Sequence, residues 1–306
     1  MRPVILDCDP GIDDALAIFT LLAEPGVAVL GACATVGNVP VDTGYRNLRD
    51  LVALCGRSDI PCFRGADLPL VRSYAHDPLI HGENGLGGVE IPQSEAPEQA
   101  EHAAVATCRL LREAADPVTW IATGPLTNVA LALHLDPSIR ERVDRLVVMG
   151  GSTARGNVTP AAEFNVWSDA EAWRVALNSG VRITMVGLNV TQQVACNEED
   201  FAEIQRMPGS VAQAAGEMLG YYEGVSLREG WGEAKLHDVV AVLEGVRPGI
   251  CGTMACHVDV EIGNALGYGQ TLVDDRAKLE ETNCEVSMAV DAGKVRRAML
   301  SAIASF

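Results

Sequence analysis

The chain has 306 residues and a formal net charge of −18, with 23 Lys+Arg against 41 Asp+Glu. Hydrophobic residues make up 48% of the sequence and charged residues 21%, which is ordinary for a globular protein and excludes a disordered or collagen-like chain. A chain this acidic lacks the basic surface that binds nucleic acid through its phosphates, and anionic membranes would repel it. We therefore expect no nucleic-acid or membrane partner.

The cysteines and the start of the chain bear on its compartment. The nine cysteines are irregularly spaced and form no Cys-x-x-Cys pair, which indicates reduced, mostly buried thiols. No signal peptide precedes the first apolar run, and the most apolar window, 15–34, is interrupted by Glu24-Pro25-Gly26. That window predicts a helix, a turn and a strand, so we expect a cytoplasmic protein without a membrane span.

Short apolar runs alternate with helical patterns over the first two thirds of the chain. The predicted buried strands are 4–8, 27–36, 118–122, 146–149 and 182–186. The predicted helices begin near Ile12 and cover 44–55, 102–114, 128–134 and 170–178. This alternation predicts an α/β fold with a mostly parallel central sheet and helices on both faces. Ligands bind at the carboxyl ends of such strands, so motifs that follow them matter most.

The last third has a different pattern. Residues 197–247 are predicted to be largely helical, 256–263 and 283–290 to be strands, and 293–305 to be a closing helix. No linker rich in Pro, Gly or Ser interrupts the sequence. We therefore expect residues 1–306 to form a single domain.

Four carboxylates lie within eight residues directly after the first strand, namely Asp7, Asp9, Asp13 and Asp14. Capping of the next helix would account for one or two of them. Four like charges this close raise one another's pKa and destabilise the fold unless they are neutralised. A bound cation would neutralise them, and oxygen ligands favour Ca²⁺ or Mg²⁺ over Zn²⁺.

Two chemistries are compatible with this motif alone. In one, a carboxylate attacks phosphorus while the metal holds the phosphate, as in Asp-x-Asp phosphatases. In the other, the metal activates a water and an Asp takes its proton. The chain contains only three lysines, Lys235, Lys278 and Lys294, and none follows a predicted core strand. The lack of a phosphate clamp disfavours the phosphatase.

Further polar motifs follow later strands or begin helices. A carbonyl in the turn 123–128 is a possible metal ligand, although the same sequence suits an ordinary strand-to-helix turn. Asn and Glu within 156–165 suit sugar hydroxyls, or a plain surface loop. His237-Asp238 supplies a possible acid and a further metal ligand at a helix start. The Gly-rich segment 81–88 is a possible lid.

Taken together, these motifs resemble the inosine–uridine-preferring nucleoside hydrolases. The acidic segment 7–15 is similar to the N-terminal signature of that family. The similarity continues, in the family's order, through Val36-Gly37-Asn38, His81-Gly82-Glu83, Thr123–Asn128, Ala162–Asn165 and His237-Asp238. It covers residues 4 to about 240. Residues 221–231, on the side of the leaving base, match loosely and leave purine and pyrimidine substrates as alternatives.

The resemblance implies a Rossmann-like nucleoside hydrolase fold and a Ca²⁺-dependent enzyme that hydrolyses small ribonucleosides to ribose and free base. By likeness, Ca²⁺ would be held by Asp9, Asp14, Asp238 and the Thr123 carbonyl. Asp9 would also be the general base for the activated water, and His237 would protonate or polarise the departing base. The implied substrate contacts are Asp13, Asn38, His81, Asn157, Glu163, Phe164 and Asn165. Family likeness also implies a homodimer or homotetramer, and a non-catalytic protein that binds nucleosides or sugars remains an alternative.

Overall fold

A twisted sheet forms the centre of the protein in the computed structural model, which describes residues 1–74, 78–263, 265–276, 278 and 281–306. Within these residues the strands are β1 Arg2–Cys8, β2 Val27–Ala34, β3 Cys62–Arg64, β4 Val118–Ala122, β5 Val143–Met149, β6 Ile183–Val186, β7 Cys251–Val260, β8 Thr271–Asp274 and β9 Cys284–Val290. Their order in the sheet is β3-β2-β1-β4-β5-β6-β9-β7-β8. Strands β1 to β6 and β9 are parallel, whereas β7 pairs antiparallel with both β9 and β8.

Helices connect the strands and cover both faces of the sheet. They are α1 Ile12–Leu22, α2 Val41–Leu54, α3 Ala103–Glu113, α4 Thr127–Leu135, α5 Phe164–Ser168, α6 Ala170–Leu177, α7 Leu188–Thr191, α8 Glu198–Ile204, α9 Ser210–Arg228, α10 His237–Val246 and α11 Ala292–Ile303, with a 3₁₀ helix at Pro137–Arg142. Within the described ranges, no helix combines the length and low polarity that crossing a membrane requires.

Alternate residues of the central strands belong to two different cores. Leu6 of β1 packs in a core with α1, α2, α9, α10 and α11, whereas its neighbour Ile5 packs in a second core with α3, α4 and α6. In β4, Ile121 packs in the first core and its neighbour Trp120 packs in the second. Side chains alternate across a strand, so a strand buried on both faces reads as a continuous apolar run. The predicted α/β fold, with a mostly parallel sheet between helices, is confirmed.

The chain reverses its direction of travel across the sheet at β1. From β1 it passes outward to β2 and β3, and it then returns to β4, β5 and β6 on the other side of β1. Loops that leave neighbouring strands in opposite directions open a crevice at the carboxyl ends of β1 and β4. The segments that follow β1, β2, β4, β5 and β6 therefore surround this crevice.

The sequence prediction differs from the structure mainly at the sheet edges. Strands β3 and β8 were not predicted, and they contain three and four residues respectively. The predicted strand 27–36 ends at Ala34, and β7 begins at Cys251 instead of Cys256. The segment 197–247 contains α8, α9 and α10, as its largely helical pattern predicted.

Candidate active site

Asp9 lies in the loop between β1 and α1, at the crevice where the chain changes direction. Its side chain is fully buried, and Oδ2 accepts the backbone N–H of Asn38 at 2.7 Å. Oδ1 is also buried and has no hydrogen-bond partner among the described residues. A Cβ on Gly37 would lie 1.9 Å from Oδ2, and a Cβ on Gly124 would lie 2.6 Å from Oδ1. The turns after β2 and β4 thus enclose this carboxylate, and both turns require glycine there.

Asp14 joins the first turn of α1 to two neighbouring loops. Its Oδ2 accepts the backbone N–H of Gly11 at 2.9 Å and the Asn38 amide at 3.2 Å. Its Oδ1 accepts the Thr123 hydroxyl at 2.8 Å. The capping alternative therefore holds for Asp14, which caps the start of α1 and at the same time faces the turns after β2 and β4.

Asp13 and Asp238 complete a carboxylate cluster, which we define as Asp9, Asp13, Asp14 and Asp238. Carboxylate oxygens of Asp13, Asp14 and Asp238 lie within 4.8 Å of one another. The charge of Asp13 raises the pKa of Asp238, and Asp13 Oδ1 is buried without a partner among the described residues. The cluster is assembled from the loop after β1, the start of α1 and the start of α10.

Burial raises the pKa of every carboxyl in the cluster, and repulsion from neighbouring carboxylates raises it further at Asp9, Asp13 and Asp238. Burial, followed by the charge of Asp14, raises the pKa of Asp9 well above its usual range, and the same two causes raise that of Asp13 to about 7. Burial raises the pKa of Asp14, against hydrogen bonds that favour its charged form. Burial and the charges of the other three raise the pKa of Asp238. Holding all four ionised at neutral pH therefore requires a compensating positive charge.

The residues of the cluster fit a divalent cation. Their donors are oxygen atoms only, and two of these oxygens, Asp9 Oδ1 and Asp13 Oδ1, are buried with no partner among the described residues. Buried polar atoms are normally satisfied, so these two oxygens are suited to partners outside the chain, such as a divalent cation or a substrate hydroxyl. The Thr123 carbonyl accepts the Asn165 amide at 2.7 Å and retains a second lone pair.

Asp7 is not part of the carboxylate cluster, and its side chain instead bonds to α4. Burial raises its pKa to about 8, and the hydrogen bond from Asn128 opposes that rise. The Asn128 amide lies 3.1 Å from Asp7 Oδ2 and also donates to the Ala34 carbonyl at 3.2 Å. These bonds tie the ends of β1 and β2 to α4.

Four of the residues predicted to contact the substrate lie on the segment that follows β5, namely Asn157, Glu163, Phe164 and Asn165. Glu163 caps α5, and its carboxylate accepts the backbone N–H groups of Gly151 at 3.0 Å, Asn165 at 3.0 Å and Val166 at 3.2 Å. Burial raises the Glu163 pKa to about 7 against these bonds. The exposed Asn157 accepts the backbone N–H of the half-buried Phe164 at 2.9 Å. Asn165 links this segment to the cluster through its bond to the Thr123 carbonyl.

Two histidines lie on the other side of the cluster. His81 accepts the backbone N–H of Ile12 at its Nδ1 over 3.1 Å, and its ring centroid lies 6.3 Å from that of Tyr222. His237, at the start of α10, lies with Nδ1 2.7 Å from the Thr191 hydroxyl. Burial, aided by the positive charge of Lys235, lowers the His237 pKa to about 4. His237 is therefore a neutral imidazole at neutral pH.

Comparison with known proteins identifies the family. The sequence profile of the inosine-uridine preferring nucleoside hydrolases matches residues 4–297. This chain belongs to the nucleoside hydrolase family. A protein from Shewanella sp. (strain MR-7), described as pyrimidine-specific ribonucleoside hydrolase RihA, is 38% identical over 294 residues, which are 95% of this chain and 92% of that relative. This nucleoside hydrolase is accordingly an enzyme that hydrolyses N-glycosyl bonds, as its motifs predicted.

Solved structures of other nucleoside hydrolases share the whole fold. A purine-preferring ribonucleoside hydrolase from Gardnerella vaginalis superposes with a TM-score of 0.94 at 28% identity, covering 99% of this chain and 98% of its own. A structure described as an inosine-guanosine nucleoside hydrolase superposes with a TM-score of 0.92 at 29% identity, covering 100% of this chain and 99% of its own. The likeness therefore extends over both the sheet and the helices.

The nucleoside hydrolase structure also contains contacts that the sequence did not predict. Thr191 was not singled out, because a hydroxyl at the end of a short helix carries no motif. Tyr222 was not singled out either, since it lies in the loosely matching segment 221–231. It is buried close enough to Asp13 and Asp238 for their charges, after burial itself, to raise its pKa.

Proposed function

We propose that this nucleoside hydrolase cleaves the N-glycosidic bond of ribonucleosides to ribose and free base, with Ca²⁺ in the carboxylate cluster and Asp9 as the general base. The observation that carries the proposal is the burial of four carboxylates together, two of which have an oxygen without a partner among the described residues. Hydrolysis at a sugar carbon uses such an arrangement, because the ribosyl group develops positive charge as the base departs.

The proposed cation ligands are Asp9, Asp14, Asp238 and the carbonyl oxygen of Thr123. An all-oxygen set that includes a backbone carbonyl is typical of Ca²⁺ and disfavours Zn²⁺, which prefers nitrogen and sulfur. When bound, the cation would supply positive charge that keeps the carboxylates ionised and makes a nearby water more acidic. This charge would also lower the raised pKa values of Asp9 and Asp13.

Each group of residues in the site has a separate role in the proposed reaction. Asp9 takes a proton from the attacking water, whose oxygen bonds to C1′ as the C1′–N bond breaks. Asp13, Asn38 and Asn165 hold the ribose hydroxyls, a role for which the free Oδ1 of Asp13 is suited. The developing positive charge on the sugar is stabilised by the carboxylates around it. Because a single water attacks, no covalent glycosyl-enzyme is needed.

The remaining assigned residues act at the two ends of the nucleoside. Asn157, Glu163 and Phe164 lie on one segment and would contact the 5′ end of the sugar. His81 and His237 would contact the base. The low pKa of His237 means that it assists the departing base by hydrogen bonding from a neutral ring, since little imidazolium is present at neutral pH.

We further propose that pyrimidine ribonucleosides are the preferred substrates and that the enzyme serves base salvage. The 38% identical relative is described as pyrimidine-specific, whereas the purine-preferring and inosine-guanosine enzymes are 28% and 29% identical. The proposed location is the cytoplasm, which the nine buried, free cysteines support. The proposed assembly is a homodimer or homotetramer, which light scattering after gel filtration would test.

Ribose release from uridine, cytidine, inosine and adenosine, measured in parallel, tests the proposal. We expect release from all active substrates to require Ca²⁺, with uridine and cytidine turned over faster than inosine. Phosphate release from a panel of phosphomonoesters, without ribose release, would favour the phosphatase alternative instead. Calorimetric binding of uridine without any base release would favour a non-catalytic binding protein.

A further inference from the structure

The contact between Thr191 and His237 joins the end of α7, the short helix that follows β6, to the start of α10. Thr191 is fully buried at the end of α7, and its hydroxyl oxygen lies 2.7 Å from His237 Nδ1. His237 itself is half-buried, and the next residue, Asp238, belongs to the carboxylate cluster. A buried hydroxyl therefore contacts Nδ1 of the histidine that is proposed to contact the base.

Both partners are held in position by the backbone around them. The amide N–H of Leu188, at the start of α7, donates to the Gly151 carbonyl at 2.8 Å, and the Asn189 side chain donates to the Ser287 carbonyl at 2.7 Å. The N–H of Leu236, just before His237, donates to the Val194 carbonyl at 3.0 Å. Neither side of the pair is on a free loop, so their relative position is fixed by the fold.

The direction of the hydrogen bond follows from the other partners of the hydroxyl. A threonine hydroxyl has one proton to donate, and in helices it often donates to the carbonyl four residues earlier. Thr20 does so, to the Leu16 carbonyl at 2.7 Å. For the Thr191 hydroxyl no bond other than that to His237 is found among the described residues. The buried hydroxyl therefore directs its proton to Nδ1, because otherwise its donor would be unsatisfied.

A neutral imidazole that accepts at Nδ1 carries its own proton on Nε2. We propose that Thr191 is a positioning residue that holds His237 in the Nε2-protonated form, so that Nε2–H donates to the departing base. This inference rests on the proposed ribonucleoside hydrolase activity. Without the Thr191 proton, the ring can carry its proton on Nδ1. Nε2 is then a hydrogen-bond acceptor and cannot donate to the departing base.

Thr191→Val tests the inference, because valine keeps the shape of threonine and removes the hydroxyl. Thr191→Ser is the matched control, since it restores a donor at the same position. Each variant is assayed with uridine and with p-nitrophenyl riboside, whose leaving group needs no protonation. For Thr191→Val we expect kcat on uridine to fall about 10- to 100-fold, at or below the lower end of the roughly 10²- to 10⁴-fold range of general-acid effects, because the neutral ring assists by a hydrogen bond. Its kcat on the nitrophenyl riboside should stay within about twofold, and Thr191→Ser should retain both activities.

Nitrogen-15 NMR of the histidine side chains gives a readout that does not depend on activity. The His237 signals are assigned by their loss in His237→Gln, and the wild type is expected to show a protonated Nε2 and an unprotonated Nδ1. Wild-type protonation at Nδ1 would overturn the inference, as would equal losses on both substrates in Thr191→Val. A wild type that hydrolyses neither substrate would overturn the proposed function and with it the positioning role of Thr191. Selective loss on uridine in an otherwise active enzyme supports both.

Discussion

The backbone N–H of Asn38 donates to Asp9 Oδ2 at 2.7 Å, which leaves Asp9 Oδ1 as the oxygen without a partner among the described residues. The residue that provides this bond stands directly after Gly37, whose missing Cβ makes room for the carboxylate. One turn therefore both orients Asp9 and leaves space for its carboxylate. This relationship leaves Oδ1 as the carboxylate oxygen of Asp9 that is available to a ligand or a water.

Asp9→Asn should reduce ribonucleoside hydrolysis by at least about 100-fold, because removal of a positioned base costs about 10²- to 10⁴-fold. The asparagine keeps the shape of the side chain and an oxygen for the Asn38 N–H, so the circular dichroism spectrum should not change. Asp116→Asn is the control, since Asp116 is exposed. Activity of Asp9→Asn within tenfold of the wild type would contradict the base role.

Gly37→Ala should abolish activity without unfolding the protein. The new Cβ would lie 1.9 Å from Asp9 Oδ2, so either the carboxylate or the turn after β2 must move. Gly224→Ala in α9 is the matched control, because its Cβ would meet no atom within 4 Å and alanine favours a helix by about 0.5–1 kcal/mol over glycine. Parallel measurements of kcat and of urea unfolding check this. Equal activity in the two variants would show that the position of Asp9 is unimportant.

The stability of chelator-treated protein should fall as the pH rises from 6.5 to 8.5. Burial raises the folded-state pKa of Asp7 to about 8 and of Asp13 and Glu163 to about 7, all above their unfolded values. The folded state thus binds more protons, and the stabilisation is lost as these carboxyls ionise. His237 opposes this trend only weakly and only up to about pH 7.5, because it is neutral in the folded state while an unfolded histidine, with a pKa of about 6.5, still binds part of a proton there.

Urea unfolding at several pH values measures this slope, which is about 1.4 kcal/mol per pH unit for each proton bound only by the folded state. Glu163→Gln removes one of these titrating groups and should flatten the curve between pH 6.5 and 7.5. A free energy of unfolding that is constant or rises over this window would contradict the raised pKa values. Added Ca²⁺ should raise stability most at the alkaline end, where the cluster is ionised.

Much of the fold was predictable from the sequence because the central strands are buried on both faces. Segments such as 4–8 and 118–122 are largely apolar, and both ends of the corresponding strands lie within two residues of the prediction. The edges were harder to predict. β3 has three residues and β8 has four, so neither contains enough alternation to be distinguished from a loop.

The candidate site was predictable where its residues directly follow a core strand. Asp9 and Thr123 do so, Asn38 lies in the turn that follows β2, and strand ends at a change of direction converge on one crevice. Pairwise contacts were not predictable in this way. The separation of Asp7 from the cluster depends on its bond to Asn128, and the Thr191–His237 bond joins residues that are 46 positions apart.

Titration of chelator-treated enzyme with Ca²⁺, followed simultaneously as bound ion and as ribose release from uridine, tests the central claim most directly. The claim is that a cation in the carboxylate cluster enables hydrolysis of the N-glycosidic bond. We predict that activity rises in proportion to bound Ca²⁺ and saturates at about one ion per chain, since the four carboxylates form one cluster. Full activity in chelated protein, or one bound ion per chain without ribose release from any ribonucleoside, would contradict it.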